Sequence, residues 1–181
     1  MNSVLPYDYE VEYLESSGTQ WIDTGIAASV NKTFMLRMMF TNNSSTTQVF
    51  FGIWFTTETP KPQKQAYIKS NNTLVINGLN VCSAYSNQAI TSNTKFDIYL
   101  SSYSTTATNA SLYLFARNVD SGSVSGINNM RLYRMIVRNT YNVEKYIIPV
   151  VKNGIPCLYD KIGDEFYYNQ GTGDFIAGPR V

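Results

Sequence analysis

The sequence predicts an all-β chain folded as an antiparallel β-sandwich of jelly-roll type. Three observations predict it. Short runs of β-branched and aromatic residues recur between Gly, Asn and Ser turn signals, the spacing of a sandwich or jelly roll. Asn, Ser and Thr supply 52 of 181 residues beside 14 Tyr and 9 Phe, so hydroxyls and amides cover strands and turns while rings fill the space between sheets. No stretch keeps a helical period, and no internal repeat is visible.

The elements follow in order. Residues 11–15 alternate polar and apolar and read as a first strand. Gly18 and Gly25 bracket residues 19–24, TQWIDT, which have the length and residue types of the next. Residues 34–40, FMLRMMF, form a near-continuous apolar run, which suggests a central strand covered on both faces. Residues 42–47 are a polar loop. Residues 49–55, VFFGIWF, should cross the core, with Gly52 marking a bulge or a close contact. Residues 56–65 carry Pro60, Pro62, Lys61 and Lys64 and read as a surface loop.

Short strands at 66–69, 74–76, 96–100 and 111–115 come next, with turn signals at Asn71-Asn72, Asn77-Gly78 and Ser121-Gly122. Asn77-Gly78 is the best hairpin signal. Residues 129–138 alternate: Met130, Leu132, Arg134, Ile136 and Arg138 share one parity, Arg131, Tyr133, Met135 and Val137 the other. Each set mixes apolar and basic residues, so neither face is cleanly inside. Residues 143–151 are a long strand in which Pro149 suggests an edge or a bulge. LYD (158–160) and EFYY (165–168) flank KIGD (161–164), a hairpin whose Gly163 can supply positive φ. NQGTG (169–173) is a second turn cluster, and Gly178-Pro179 stops the last strand. A chain of 181 residues can bury roughly 70% of its unfolded surface, so we expect one domain over 1–181, with 1–8 a linker or an extended N-terminal segment.

Composition narrows the partners. Net charge is +1 and only 15% of residues are charged, which gives no reason to expect nucleic acid or an anionic membrane as partner. No apolar run has the length of a membrane span, and MNSVLP (1–6) has neither the basic nor the apolar region of a signal peptide. The expectation is a cytoplasmically made virion protein, a processed secreted domain or a fragment of a longer protein. Cys82 and Cys157 lie in apolar surroundings and read as buried thiols; a disulfide needs their Cα atoms within about 7 Å.

Histidine is absent, which removes Ser-His-Asp and Cys-His catalysis and His-based metal sites. Among jelly-roll enzymes the live alternative is a pair of carboxylates acting on a glycosidic bond. Glu10 and Glu12 share a strand face, but Glu15 has the wrong parity, and Asp160, Asp164 and Glu165 sit at a turn where acids are ordinarily solvated. The chain is therefore expected not to be an enzyme. Glycan binding needs an exposed ring for a sugar's apolar face and amides for its hydroxyls. Trp54, Tyr67, Tyr103 and Asn109 are the candidate ligand-binding residues, with Trp21 and Tyr85 as weaker aromatic ones. Arg131, Arg134, Arg138 and Lys145 invite an anionic-glycan reading; a solvated strand face, or pairing with Glu144, is the simpler one. Five Asn-x-Ser/Thr sites, at Asn31, Asn42, Asn43, Asn71 and Asn109, are what this composition gives by chance.

Two terminal blocks carry a resemblance: EYLESSGTQWIDTG (12–25) and LYDKIGDEFYYNQGTGDFIAGP (158–179). Together they resemble the opening and closing strands of concanavalin-A-like jelly-roll modules, the laminin-G-like branch, found in phage structural proteins and in surface proteins of gut bacteria. Residues 27–128 match no motif. The resemblance implies a lectin-like adhesion module that recognises a glycan or cell-surface polysaccharide, in a virion or at a cell surface. Modules of that branch often hold a Ca²⁺ at the sandwich rim, for which Asp23, Asp97 and Asp120, with Asn118, are the candidate oxygen donors, but no clustered acidic loop is visible and no cofactor is expected. The alternatives are a structural protein packing against itself or a protein partner, and a glycoside hydrolase.

Overall fold

The computed structural model describes residues 5–28, 31–42, 47–57, 63–69, 73–77, 80–81, 89–102, 109–120 and 122–181. Among them every regular element is a strand: β1 (Tyr9–Glu10), β2 (Leu14–Ser17), β3 (Ile22–Ala27), β4 (Lys32–Phe40), β5 (Gln48–Trp54), β6 (Gln63–Ile68), β7 (Leu74–Asn77), β8 (Asn80–Val81), β9 (Phe96–Ser102), β10 (Ser111–Leu114), β11 (Arg117–Val119), β12 (Ser123–Ser125), β13 (Asn129–Arg138), β14 (Val143–Lys152), β15 (Ile155–Asp160), β16 (Glu165–Tyr167) and β17 (Ile176–Ala177).

They form two sheets. A ten-stranded sheet runs β16-β15-β14-β13-β4-β9-β8, with β1 added to β14, β2 to β13, and β17 to β2. A seven-stranded sheet runs β12-β11-β5-β10-β3, with β6 beside β5 and β7 beside β6. The β5–β11 pair is parallel; the other strand pairs among the described residues are antiparallel. The sheets pack face to face as a β-sandwich. Phe34 of β4 meets Phe51 of β5 at 4.9 Å between centroids, and Phe40 meets Phe50 edge-on at 5.7 Å. All four rings are fully buried. Each contributes roughly 1.5–3 kcal/mol by leaving water, and each ring pair about 0.5–1.5 kcal/mol more.

Strand β13 explains the mixed parity of residues 129–138. Leu132 pairs with Met38 and Arg134 with Arg37, so Tyr133 is an extra residue in the register. A bulge shifts the alternation by one. Before it, Met130 and Leu132 face the core; after it, Met135 and Val137 do. Tyr133 and Arg134 both stay outside, half-buried. One face is thus cleanly inside, with a change of parity halfway along.

Several expectations shift in detail. The first strand divides into β1 and β2, and Val11 between them makes only an isolated bridge to Arg180. The strand expected at 19–24 begins at Ile22 and runs through Gly25, which takes φ +64° where the β3–β10 register jumps. Central β4 does lie between β13 and β9, but its outer face is not covered, since Arg37 is exposed there. Lys64 and Gln65 belong to β6 and are buried, not part of a surface loop. Gly52 holds the expected close contact: a Cβ there would collide with the Lys64 carbonyl and lie 2.5 Å from Gln65 Cα. The 158–167 hairpin forms as β15 and β16, but the positive φ falls on Asp164, at +52°, while Gly163 leaves room for the Asp160 carboxylate.

Pro149 is not at an edge. β14 pairs with β15 along one side, and along the other with β13 up to Ile147 and with β1 from Val150. The Pro149 carbonyl accepts from Val11 N at 3.2 Å. A residue's N and O point to one side of a strand, so the missing N–H falls where β13 has diverged and β1 has just begun. The outer face of this region carries a second cluster in which Tyr7 packs on Ile148, Val150, Cys157 and Tyr159. Residues 7 and 8 are docked, with Asp8 N donating to Val151 O at 2.8 Å.

The two terminal blocks meet. β17 pairs with β2, Gln170 N donates to Trp21 O at 2.9 Å, Thr172 N to Thr19 O at 3.2 Å, and Glu12 N to Pro179 O at 2.8 Å. Gly171 passes so close that a Cβ would enter the shell of the Thr19 carbonyl oxygen and touch Trp21 Cδ1 at 3.0 Å.

Candidate functional site

A concavity opens on the outer face of the ten-stranded sheet, where β4 begins and β13 ends. It holds about 710 Å³. Strand register builds its floor: Met35 lies opposite Tyr99 of β9, and Thr33 lies opposite both Ser101 and Arg138. Thr33, Met35 and Tyr99 line it from below, with Lys32 and Asn31 at one end. The β13–β14 turn, Asn139 to Tyr141, forms the wall. A volume of this size suits a small ligand.

Asn139 organises that wall. Its Oδ1 accepts from Tyr141 N and Asn142 N, both at 2.8 Å, an Asx turn. Its Nδ2 donates to Glu144 Oε1 at 2.8 Å, and Lys32 pairs with the other oxygen of Glu144. The Lys32 ammonium, helped by Asn139, holds the Glu144 carboxyl below its usual range. Tyr141 stands at the tip with 90% of its surface exposed. An aromatic side chain so fully in water, on a backbone fixed by a side-chain amide, is available for contact. Among the described residues no carboxylate lines the cleft, whereas hydroxyls, amides, Lys32 and Arg138 do. A smaller hollow of about 220 Å³ shares Lys32 and runs under Gly25 to Ala27.

Trp54 and Tyr67 lie elsewhere, on the seven-stranded sheet. Trp54 is half-buried at the end of β5. The Arg117 guanidinium covers one face of its indole at 4.1 Å, and Nε1 is buried without a hydrogen-bond partner among the described residues. Arg117 also donates to Gln65 Oε1 at 2.7 Å and sits beside Tyr67; burial lowers its pKa. Neither Trp54 nor Tyr67 lines the cleft, and in the β5–β6 register they lie far apart, Trp54 opposite Gln63 and Tyr67 opposite Val49. Trp21 stacks on Tyr113 at 4.4 Å, which makes it structural. Asn109 is exposed just before β10. Tyr103, Tyr85, Cys82, Gly78 and Ser121 lie outside the described residues.

The acids are dispersed. Asp23 Oδ1 accepts from Gly25 N at 2.9 Å, Asp97 takes two bonds from Arg37 at 3.1 and 2.8 Å, and Asp120 accepts from Thr56 N at 2.7 Å and Thr56 Oγ1 at 2.5 Å. Those Thr56 bonds lower the Asp120 pKa. Asp23 belongs to the seven-stranded sheet and Asp97 to the ten-stranded one, and each of the three carboxylates already accepts from a local donor. Among the described residues no three of His, Cys, Asp and Glu come together as a metal set. Glu10 accepts from Tyr7 and Lys161, and Glu12 pairs with Lys95.

The basic cluster is divided too. Arg131 pairs with Glu15 at 2.6 Å, Arg134 approaches Asp97 at 4.0 Å, and Lys145 bonds Asp160, Glu165 and Tyr167. Tyr99, Asn139, Tyr141 and Arg117 do not stand out in the sequence. One signal was available for two of them: NTYN (139–142) between two long strands is a turn with an aromatic at its tip. Comparison with protein-family models, with curated proteins and with solved structures finds no match to this chain.

Proposed function

We propose that this protein is a non-enzymatic carbohydrate-recognition module on a concanavalin-A-like jelly roll, borne on a phage virion or a bacterial surface. The observation that carries the reading is the cleft: Tyr141 held out at a fixed turn above a floor of Thr33, Met35 and Tyr99, with hydroxyls and amides around it and no carboxylate among the described lining residues. A sugar ring stacks its apolar face on Tyr141 and directs its hydroxyls to Thr33, Asn139 and Thr140. Hydrolysis needs two carboxyl groups across the scissile bond, and the described lining residues include none, which favours binding without turnover. The pairing of β2 with β17 supports the jelly-roll closure that the terminal blocks suggest.

A glycan array with the purified protein, run with Ca²⁺ and with chelator, tests this. Reproducible binding to one glycan class, lost in Tyr141→Ala, is the expected result. A blank array under both conditions overturns it. The second reading is assembly with itself or a protein partner, favoured by the exposed apolar side chains of Ile155, Ile162 and Ile176. Light scattering that shows a stable oligomer together with a blank array would select it.

A further inference from the structure

We infer that the cleft is selective for acidic sugars, with Arg138 as the residue that takes the sugar carboxylate. The inference rests on the glycan-binding reading and deepens it. Five basic side chains lie along the outer face of the central strands of the ten-stranded sheet and their margin. Arg37 has Asp97, Lys95 has Glu12, Arg131 has Glu15, and Arg134 has Asp97 within 4.0 Å. Arg138, at the end of β13, is exposed and has no acidic partner among the described residues. It is also the one of the five that lines the cleft.

The surrounding charge points the same way. Among the described residues Lys32 and Arg138 line the cleft and no acid does. The carboxylate of Glu144, beside the wall, is already held by Lys32 and Asn139. An anion entering the cleft thus meets a guanidinium without an acidic partner and no competing acid. A guanidinium offers a planar pair of N–H donors matched to a carboxylate, and a charge-assisted pair is stronger than a neutral bond. Tyr141 and Tyr99 border the same space and provide rings for the sugar body. A neutral hexose would leave the guanidinium facing only hydroxyls. A hexuronic or nonulosonic acid places its carboxylate there and keeps its ring faces for the tyrosines.

The test is calorimetric titration of matched oligosaccharides: tetragalacturonate against galactotetraose, and sialyllactose against lactose. Wild type, Arg138→Gln, Tyr141→Ala and the ion-paired control Arg134→Gln are compared, each checked for an unchanged melting temperature. Expected is binding of at least one acidic member, about tenfold tighter than its neutral partner, weakened as salt rises. Arg138→Gln should remove that preference and Arg134→Gln should keep it. Equal affinity for acidic and neutral members, both lost in Tyr141→Ala, overturns the acidic selectivity and leaves glycan binding standing. A preference that survives Arg138→Gln overturns the assignment to Arg138. No binding of either class, with a blank array, overturns both.

Discussion

Gly171 lies in close contact with the other terminal block, and Gly171→Ala probes that contact directly. An added Cβ would overlap the Thr19 carbonyl oxygen and press on Trp21. The two segments must separate. Three bonds go with that movement: Thr172 N to Thr19 O at 3.2 Å, Gln170 N to Trp21 O at 2.9 Å, and Gln20 Nε2 to Thr172 O at 3.2 Å. Gln20 is buried, so its amide would lose a partner where water does not replace it. At about 0.5–1.5 kcal/mol net for each bond, the expected loss is about 2–4 kcal/mol. Gly154 supplies the control. It takes φ +77°, and an added methyl would meet nothing within 4 Å, so Gly154→Ala should cost only the left-handed backbone penalty, about 1–2 kcal/mol. Urea unfolding followed by fluorescence measures both. A Gly171→Ala loss no larger than that of Gly154→Ala would refute the reasoning.

Three further outcomes are expected. Asn139→Ala should weaken glycan binding about as much as Tyr141→Ala, because the turn that presents Tyr141 loses both bonds to the Asn139 side chain and keeps only Asn139 N to Asn142 O, and Asn139→Asp, which keeps the accepting oxygen, should restore it; unchanged binding in Asn139→Ala on the same array would remove Asn139 from the site. Glu144, bonded by Lys32, and Glu165, bonded by Tyr167 and then Lys145, have folded pKa values below the ordinary 4.5, so their stabilisation is present above that value and is lost as pH falls through the folded pKa. Melting temperature should therefore decline on acidification below about pH 4.5, and a flat profile from about pH 6 to 3 would contradict the pairing. Burial pushes the Cys157 thiol up to about 11, so in a Cys82→Ser background the native protein should resist alkylation at about pH 8 and react only in denaturant, as labelling mass spectrometry reads directly.

Local pattern was enough to bound the long strands. Residues 129–138 match β13 end to end, and the apolar run 49–55 fills the centre of the sandwich as β5. It was not enough where one residue changes the geometry. The bulge at Tyr133 carries no marker such as glycine, so the parity switch emerges only from the register with β4. Lys64 and Gln65 follow two prolines and a lysine, yet pairing with Ile53 and Gly52 draws them inside. The site was hidden for a related reason. Thr33, Tyr99 and Arg138 are far apart in the chain and become neighbours through two strand pairings. Trp54 and Tyr67 were legible as aromatic candidates, but the guanidinium that covers Trp54 comes from β11, a distant segment.

The placement of β2 also sets a timetable. Its neighbours are β13 on one side and β17 on the other, both drawn from the last third of the chain. During synthesis, residues 9–17 therefore wait, with Leu14 and Val11 uncovered, until residues 129–177 have been made. Contacts so distant in sequence delay the rate-limiting step, and all-β chains rich in them fold in milliseconds to seconds rather than microseconds. Through that interval the nascent N-terminal segment is an open strand in search of an edge, the state most exposed to pairing with another copy.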